Sequence, residues 1–151
     1  MIFPGNHDTD RIGDVVKSDP KRLKLAMTMM ATMRGFPQIF AGDELMFVSR
    51  DLSQGHGGLR VDFPGGWKGD KMNWFCAEGR EKATTLTNGK RVKHGTISDL
   101  FDYNSRLFQW RKGKKVIHDG RTMHFLSRDN TYAYFRYDDT DAVFVLSLIH
   151  I

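Results

Sequence analysis

The chain has 151 residues, 40% hydrophobic and 27% charged, which is enough for one domain with a buried core. No apolar run approaches the roughly 20 residues that span a bilayer, and the opening residues lack the basic head and apolar stretch of a signal peptide. The net charge of +5 is concentrated in one place: Gly79 to Gly95 holds Arg80, Lys82, Lys90, Arg91 and Lys93 against Glu81, a local +4 that leaves +1 for the rest. A basic loop of this kind reads as a solvated excursion, so no nucleic-acid partner is expected.

In chain order, Met1-Ile2-Phe3 reads as a buried strand that opens through Pro4-Gly5 into the polar residues Asn6-His7-Asp8. Thr9 to Lys17 reads as a polar loop. Asp19-Pro20 is a helix start, with Asp as N-cap and Pro in the first turn. Leu23, Ala26, Met27 and Met30 recur at helical spacing, widened by Leu25, Met29 and Met33 into a broad core-facing stripe that Gly35 ends. Phe36 to Ala41 is a second short strand, followed at once by Gly42-Asp43-Glu44. Strand, helix, strand implies a βαβ unit, so Asp8 and Asp43-Glu44 should face one opening at the strand ends.

Leu45 to Gly95 is long, glycine-rich and irregular, and its aromatic residues argue for order in the first half. Cys76 is the single cysteine, which excludes an internal disulfide, and beside Phe75 it reads as a small apolar filler. A helix is expected from about Thr96 to Gly113, with Thr96-x-x-Asp99 resembling a capping box and Ile97, Leu100, Phe101, Leu107 and Phe108 as its apolar face. The period then changes to two. Thr122 to Leu126, Thr131 to Tyr137 and Ala142 onward read as strands, joined by turns at Arg128-Asp129-Asn130 and Asp138-Asp139-Thr140. Such a change of period argues for a separate antiparallel module, with the boundary near Gly113 to Gly120.

Asn6-His7-Asp8 admits three readings: a turn that satisfies local backbone, a metal site, or a sugar cleft. Gly5-Asn6-His7-Asp8 matches a metal-ligand block of calcineurin-like metallophosphoesterases. A two-ion site needs more ligands, and the nearest candidate for that family's closing element, Gly55-His56-Gly57-Gly58, lacks its second histidine. The longer context carries more. Phe3-Pro4-Gly5-Asn6-His7-Asp8-Thr9-x-Arg11, a helix, then Gly35-Phe36-Pro37-Gln38-Ile39-Phe40-Ala41-Gly42-Asp43-Glu44 resembles the α-amylase family of glycoside hydrolases. Gly58-Leu59-Arg60-Val61-Asp62-Phe63-Pro64-Gly65-Gly66-Trp67 resembles its neopullulanase and cyclomaltodextrinase branch.

The resemblance implies an α/β fold: the C-terminal part of a (β/α)8 TIM barrel, strands seven and eight with their helices, over residues 1–115. Residues 116–151 would be the truncated start of an antiparallel β-sandwich domain. A complete barrel needs about 250 residues. The resemblance makes Asp8 the third carboxylate of a catalytic trio, His7 a ligand of the same sugar, and Arg60 a ligand of a glucose farther along the cleft. From its position alone, Arg60 reads equally as a surface salt bridge to Asp62. The implied parent reaction is retaining hydrolysis of α-1,4-glucosidic bonds in maltodextrins, pullulan or cyclodextrins. Its nucleophile and acid/base lie on strands outside this chain, so the isolated chain should be inactive.

The implied partner is an α-glucan oligosaccharide, with no cofactor, no metal and no membrane insertion; the oligomeric state is open, and an exported bacterial location is implied. The alternatives are a metallophosphoesterase or a non-catalytic glucan-binding module. Asn6 is expected to orient its neighbours, and Asp43-Glu44 to support the barrel mouth through hydrogen bonds. Trp67 and Trp74 read either as sugar platforms or as buried loop anchors. Ala41 stands where the family commonly has tyrosine, and the ending Ser147 to Ile151 departs from the family pattern.

Overall fold

The computed structural model describes residues 1–128 and 131–148. Ile2 and Pro37 form a parallel bridge, with Ile2 N–H donating to Phe36 O at 2.8 Å and Gln38 N–H to Ile2 O at 2.8 Å. Between them run a short helix α1 (Ile12–Val15) and helix α2 (Pro20–Thr32). The βαβ order is therefore present, but its ladder is a single bridge. Met1 and Phe36 are more than four-fifths exposed, which corrects the expectation of a buried opening strand. A strand is buried only when neighbours pair and cover it, and among the described residues this pair has none.

Asp19 caps α2, its carboxylate accepting from Lys21 N–H at 2.8 Å, and Pro20 takes the first helical position. Leu23, Met27, Met30 and Ala31 are its buried face. The stretch from Thr9 to Lys17 is not a purely polar loop: Arg11, Ile12 and Val16 are buried, and Ile12–Val15 forms a helical turn.

Helix α5 (Thr96–Lys112) lies against α2, with Ile97 and Leu100 buried and Phe101, Leu107 and Phe108 packed at the core margin. Gly95, in the left-handed region, is its cap residue, and no side chain closes a capping box there. Thr28 and Tyr103 hydroxyls meet at 2.5 Å between the helices, and the buried Arg111 guanidinium donates to Ala31 O at 2.5 Å and Gly35 O at 2.7 Å. Arg111 thereby satisfies carbonyls left open at the end of α2.

The segment from Leu45 to Gly95 supplies much of the core through Leu45, Met46, Phe47, Val48, Trp74 and Leu86, all 2% exposed or less. It holds the one-turn helix α3 (His56–Leu59) and helix α4 (Ala77–Lys82). Phe47 packs edge-on to Trp74 at 5.4 Å and tilted against Phe63 at 5.1 Å. Gly42 makes that possible: φ is 95° there, and a Cβ would lie 2.2 Å from the Phe47 ring. Cys76 is exposed rather than a core filler; it caps α4, its Sγ accepting from Gly79 N–H at 3.3 Å.

Helix α6 (Lys115–Asp119) leads into an antiparallel sheet of β1 (Arg121–His124), β2 (Thr131–Tyr137) and β3 (Ala142–Leu148), in that order. Met123 pairs with Phe135 and Phe135 with Phe144. The other face carries the buried Tyr134 and Arg136, whose partners are the Thr32 hydroxyl at 2.5 Å and Ile117 O at 2.9 Å. The Asp138 carboxylate closes the expected turn by accepting from Thr140 and Asp141 N–H, each at 2.8 Å. Of the turn expected at Arg128-Asp129-Asn130, and of the Ser147 to Ile151 ending, residues 129–130 and 149–151 lie outside the described residues. No described helix is long and apolar enough to cross a membrane.

Candidate active site

The loop leaving the first strand turns on Asn6, whose Oδ1 accepts from Asp8 N–H at 2.8 Å while its own N–H donates to Thr9 Oγ1 at 3.0 Å. Gly5 is buried beneath it, where a Cβ would lie 3.0 Å from Asp10 O. The turn lifts His7 and Asp8 to the surface side by side, with His7 Nε2 3.0 Å from Asp8 Oδ2.

Asp8 then gathers two further groups from the long irregular segment. Arg60 Nη2 donates to Asp8 Oδ1 at 3.1 Å, and His56 Nδ1 lies 3.2 Å from the same oxygen. Arg60 Nε also reaches His7 O at 3.4 Å. The salt bridge weighed between Arg60 and Asp62 does not form; Asp62 faces Arg50 at 3.9 Å. The three named residues His7, Asp8 and Arg60 are thus one cluster, half-exposed, in which pairing orients groups and adds little stability. His56, read in sequence only against a metal motif, is a fourth member; its glycine-flanked position offered no spacing signal.

Beneath this cluster lies a buried ion pair. Arg11 Nη1 donates to Asp43 Oδ1 at 2.9 Å and to Ala41 O at 3.0 Å, and its Nε donates to Leu59 O at 2.7 Å. Its guanidinium sits 4.1 Å from the centre of the Phe40 ring. One side chain, three residues after Asp8, therefore ties the end of the second strand to the residue preceding Arg60. Burial pushes the Asp43 carboxyl up to about 7, with Arg11 opposing the rise and Glu44 and Asp14 adding to it. Asp43 Oδ2 has no partner among the described residues. Glu44 serves its own backbone, its Oε2 accepting from Gly42 N–H at 2.9 Å.

Above the pair, a cleft of about 260 Å³ has His7 and Arg60 on its rim and Phe40, Ala41, Phe47 and Phe63 as an apolar floor. Ala41 is part of this floor. Trp74 is fully buried and is a loop anchor, whereas Trp67 is 77% exposed. Among the described residues, no group of three or more His, Cys, Asp or Glu side chains is placed to hold a metal ion.

The family model for the alpha amylase catalytic domain matches residues 1–142. The chain belongs to the α-amylase family. Its fold also resembles solved structures: an α-amylase from H. orenii (TM-score 0.66, 23% identity, covering 95% of this chain and 28% of that one). A cyclomaltodextrinase follows at TM-score 0.61 and 21% identity, covering 95% of this chain and 20% of that one. The Nostoc punctiforme debranching enzyme gives 0.65 and 18%, with 97% and 24% covered. The chain thus spans under a third of the length of these relatives, and its fold is part of a TIM barrel. Membership of this family displaces the metallophosphoesterase reading of Gly5 to Asp8.

Proposed function

We propose that this chain forms one wall of the sugar cleft of a retaining glycoside hydrolase that cleaves α-1,4-glucosidic bonds in maltodextrins, pullulan or cyclodextrins, within the neopullulanase and cyclomaltodextrinase branch. The observation that carries this reading is the cluster at Asp8: a carboxylate at a strand end, flanked by His7, His56 and Arg60. A carboxylate acceptor beside imidazole and guanidinium groups, around an apolar floor, suits a neutral ring bearing hydroxyls.

In this reading Asp8 accepts hydrogen bonds from sugar hydroxyls, and these strengthen as the ring flattens toward the oxocarbenium-like transition state. His7 donates to a hydroxyl of the same ring, and Arg60 reaches a glucose farther along. The covalent chemistry belongs to a nucleophile and an acid/base about 5–5.5 Å apart, supplied by segments outside these residues.

The Met1–Phe3 and Phe36–Ala41 segments are then strands seven and eight, residues 1–115 are barrel, and 116–151 begin a β-sandwich. Two exposed surfaces support this. Met1, Phe3 and Phe36 flank the strand pair, and Met123, Phe125, Phe144 and Leu146 are at least 44% exposed on the sheet face opposite Tyr134. Each is an apolar layer of the kind that barrels and sandwiches cover.

The test is to sequence the DNA upstream of the Met1 codon and assay the 151-residue chain on maltoheptaose. A Gly-Phe-Arg-x-Asp block followed by a strand-end Glu, with no hydrolysis by the chain alone, is the expected result. Hydrolysis by the chain alone would sink the proposal.

A further inference from the structure

The Asp43 carboxyl lies beneath both segments that build the Asp8 cluster. On one side, Asp43 Oδ1 accepts from Arg11 Nη1 at 2.9 Å, and Arg11 Nε donates to Leu59 O at 2.7 Å, the carbonyl next to Arg60. On the other, a Cβ placed on the buried Gly5 would lie 3.5 Å from Asp43 Oδ2. This oxygen therefore sits under the residue from which the turn of Asn6, His7 and Asp8 rises. The same point is 3.0 Å from Asp10 O and 3.5 Å from Ile12 N, so Oδ2 shares its space with a carbonyl and an amide of the stretch that follows Asp8.

The turn that carries Asp43 is held in one shape. Gly42 precedes it at φ 95° and Met46 ends it at φ 63°, both in the left-handed region. Met46 is fully buried, and a residue other than glycine keeps this conformation only where its surroundings impose it. Backbone strain of this kind gathers where a side chain must be presented in a single orientation.

A carboxyl in this place has two bonding states. Ionised, it only accepts: Oδ1 answers Arg11, and Oδ2 suits the Ile12 N–H. Protonated, Oδ2 becomes a donor that suits Asp10 O, and the buried Arg11 charge is left uncompensated beneath the cluster. That charge draws the Asp8 carboxylate and repels the Arg60 guanidinium. The charged groups acting on Asp43 are Arg11 and Asp14, from the segment after Asp8, and Glu44 from its own turn. Helix α5, packed on the same turn, presents the neutral Asn104, which donates to Glu44 O at 2.8 Å. We propose that Asp43 is a positioning residue for the Asp8 cluster, setting the Asp8–Arg60 contact through Arg11 and the Gly5 turn and loosening it on taking up a proton. With the carboxyl pushed up to about 7 by burial, this exchange falls in the neutral range. The use of the cluster on sugar rests on the function proposed above; the coupling of Asp43 to Asp8 and Arg60 does not.

The test is NMR of the folded 151-residue chain between about pH 5 and about pH 9. The Asp8 and Asp43 carboxyl carbons, the Arg60 Nε and the His7 and His56 rings are each followed by their own signals. The expected result is an inflection at Arg60 Nε and at the Asp8 carboxyl that shares the midpoint of the Asp43 carboxyl, over and above the two histidine titrations. Asp43→Asn keeps the shape and removes the titrating proton, so it should abolish that inflection while those of His7 and His56 remain. The wild-type titration carries the comparison by itself if this variant does not fold. An Asp43 carboxyl that titrates while Asp8 and Arg60 stay unmoved overturns the proposal, and so does an Asp43 with no midpoint in this range. No sugar enters the experiment. Its failure leaves the glucan reading of Asp8 standing, and absence of maltotriose binding would remove that reading while leaving the coupling in place.

Discussion

Arg60 and Asp8, separated by 52 positions, meet at 3.1 Å at the mouth of the cleft. The contact joins the turn after the first strand to the long irregular segment. Both side chains are about half exposed, so it sets geometry more than stability. Replacing Arg60 by alanine should leave the unfolding free energy in urea within about 0.5 kcal/mol of wild type while weakening maltotriose binding at the Asp8 cleft. Equilibrium unfolding and calorimetry together check this. An unfolded Arg60→Ala chain, or one with unchanged affinity at that cleft, would contradict it.

Arg11 behaves in the opposite way. It is buried with Asp43 and holds Ala41 O and Leu59 O in place. Arg11→Met leaves the buried Asp43 and the Ala41 and Leu59 carbonyls without their donor, an expected loss of roughly 3–5 kcal/mol in urea unfolding at about pH 8, above the value at which Asp43 takes up its proton in the wild type. Arg11→Lys should not restore the loss, because a single ammonium cannot reproduce the guanidinium's divergent bonds.

Asp43 also gives the chain a pH dependence of stability. Its carboxyl is raised from 3.8 to about 7 in the fold, with burial as the main cause. Between those values the folded state holds more protons than the unfolded one, so stability falls as pH rises through this window and levels off above about 7. The contribution is complete below the unfolded value. Comparing urea midpoints at about pH 5 and about pH 8, the wild type should lose stability relative to Asp43→Asn. Parallel profiles for the two would refute the assignment.

The tryptophans separate by burial. Trp74 is 0% exposed and packs edge-on to Phe47, so Trp74→Ala should cost roughly 3–5 kcal/mol through the cavity it leaves. Trp67→Ala, on the exposed turn, should stay within about 0.5 kcal/mol. Thermal unfolding of the two variants side by side makes this comparison.

These contrasts mark what was legible in the sequence. Local chemistry was: the Asp19-Pro20 start of α2, the apolar face of α5 and the alternation of the three strands each follow from rules that act over a few residues. The meeting of Asp8 with Arg60 was not legible: the sequence offered Arg60 a more distant glucose or Asp62 as partner, since no local rule spans that distance. Two features escaped. Arg11 lies in a stretch that reads as polar, and only the fold reveals that its charge is spent on Asp43 and two carbonyls. His56 sits between glycines, where periodicity says nothing. Gly95 at the start of α5 and Cys76 at the start of α4 took cap positions for which the sequence suggested Thr96 and a core filler. In both, backbone geometry outside the helix chose the cap.

In the proposed reading, Asp8 stabilises a glycosidic transition state. Asp8→Asn in a full-length enzyme that contains this segment, assayed on maltoheptaose, separates that role from a merely structural one. The expected result is a fall in kcat of about 10²–10³-fold with little change in KM, the mark of an interaction that strengthens in the transition state. A kcat equal to wild type would contradict it.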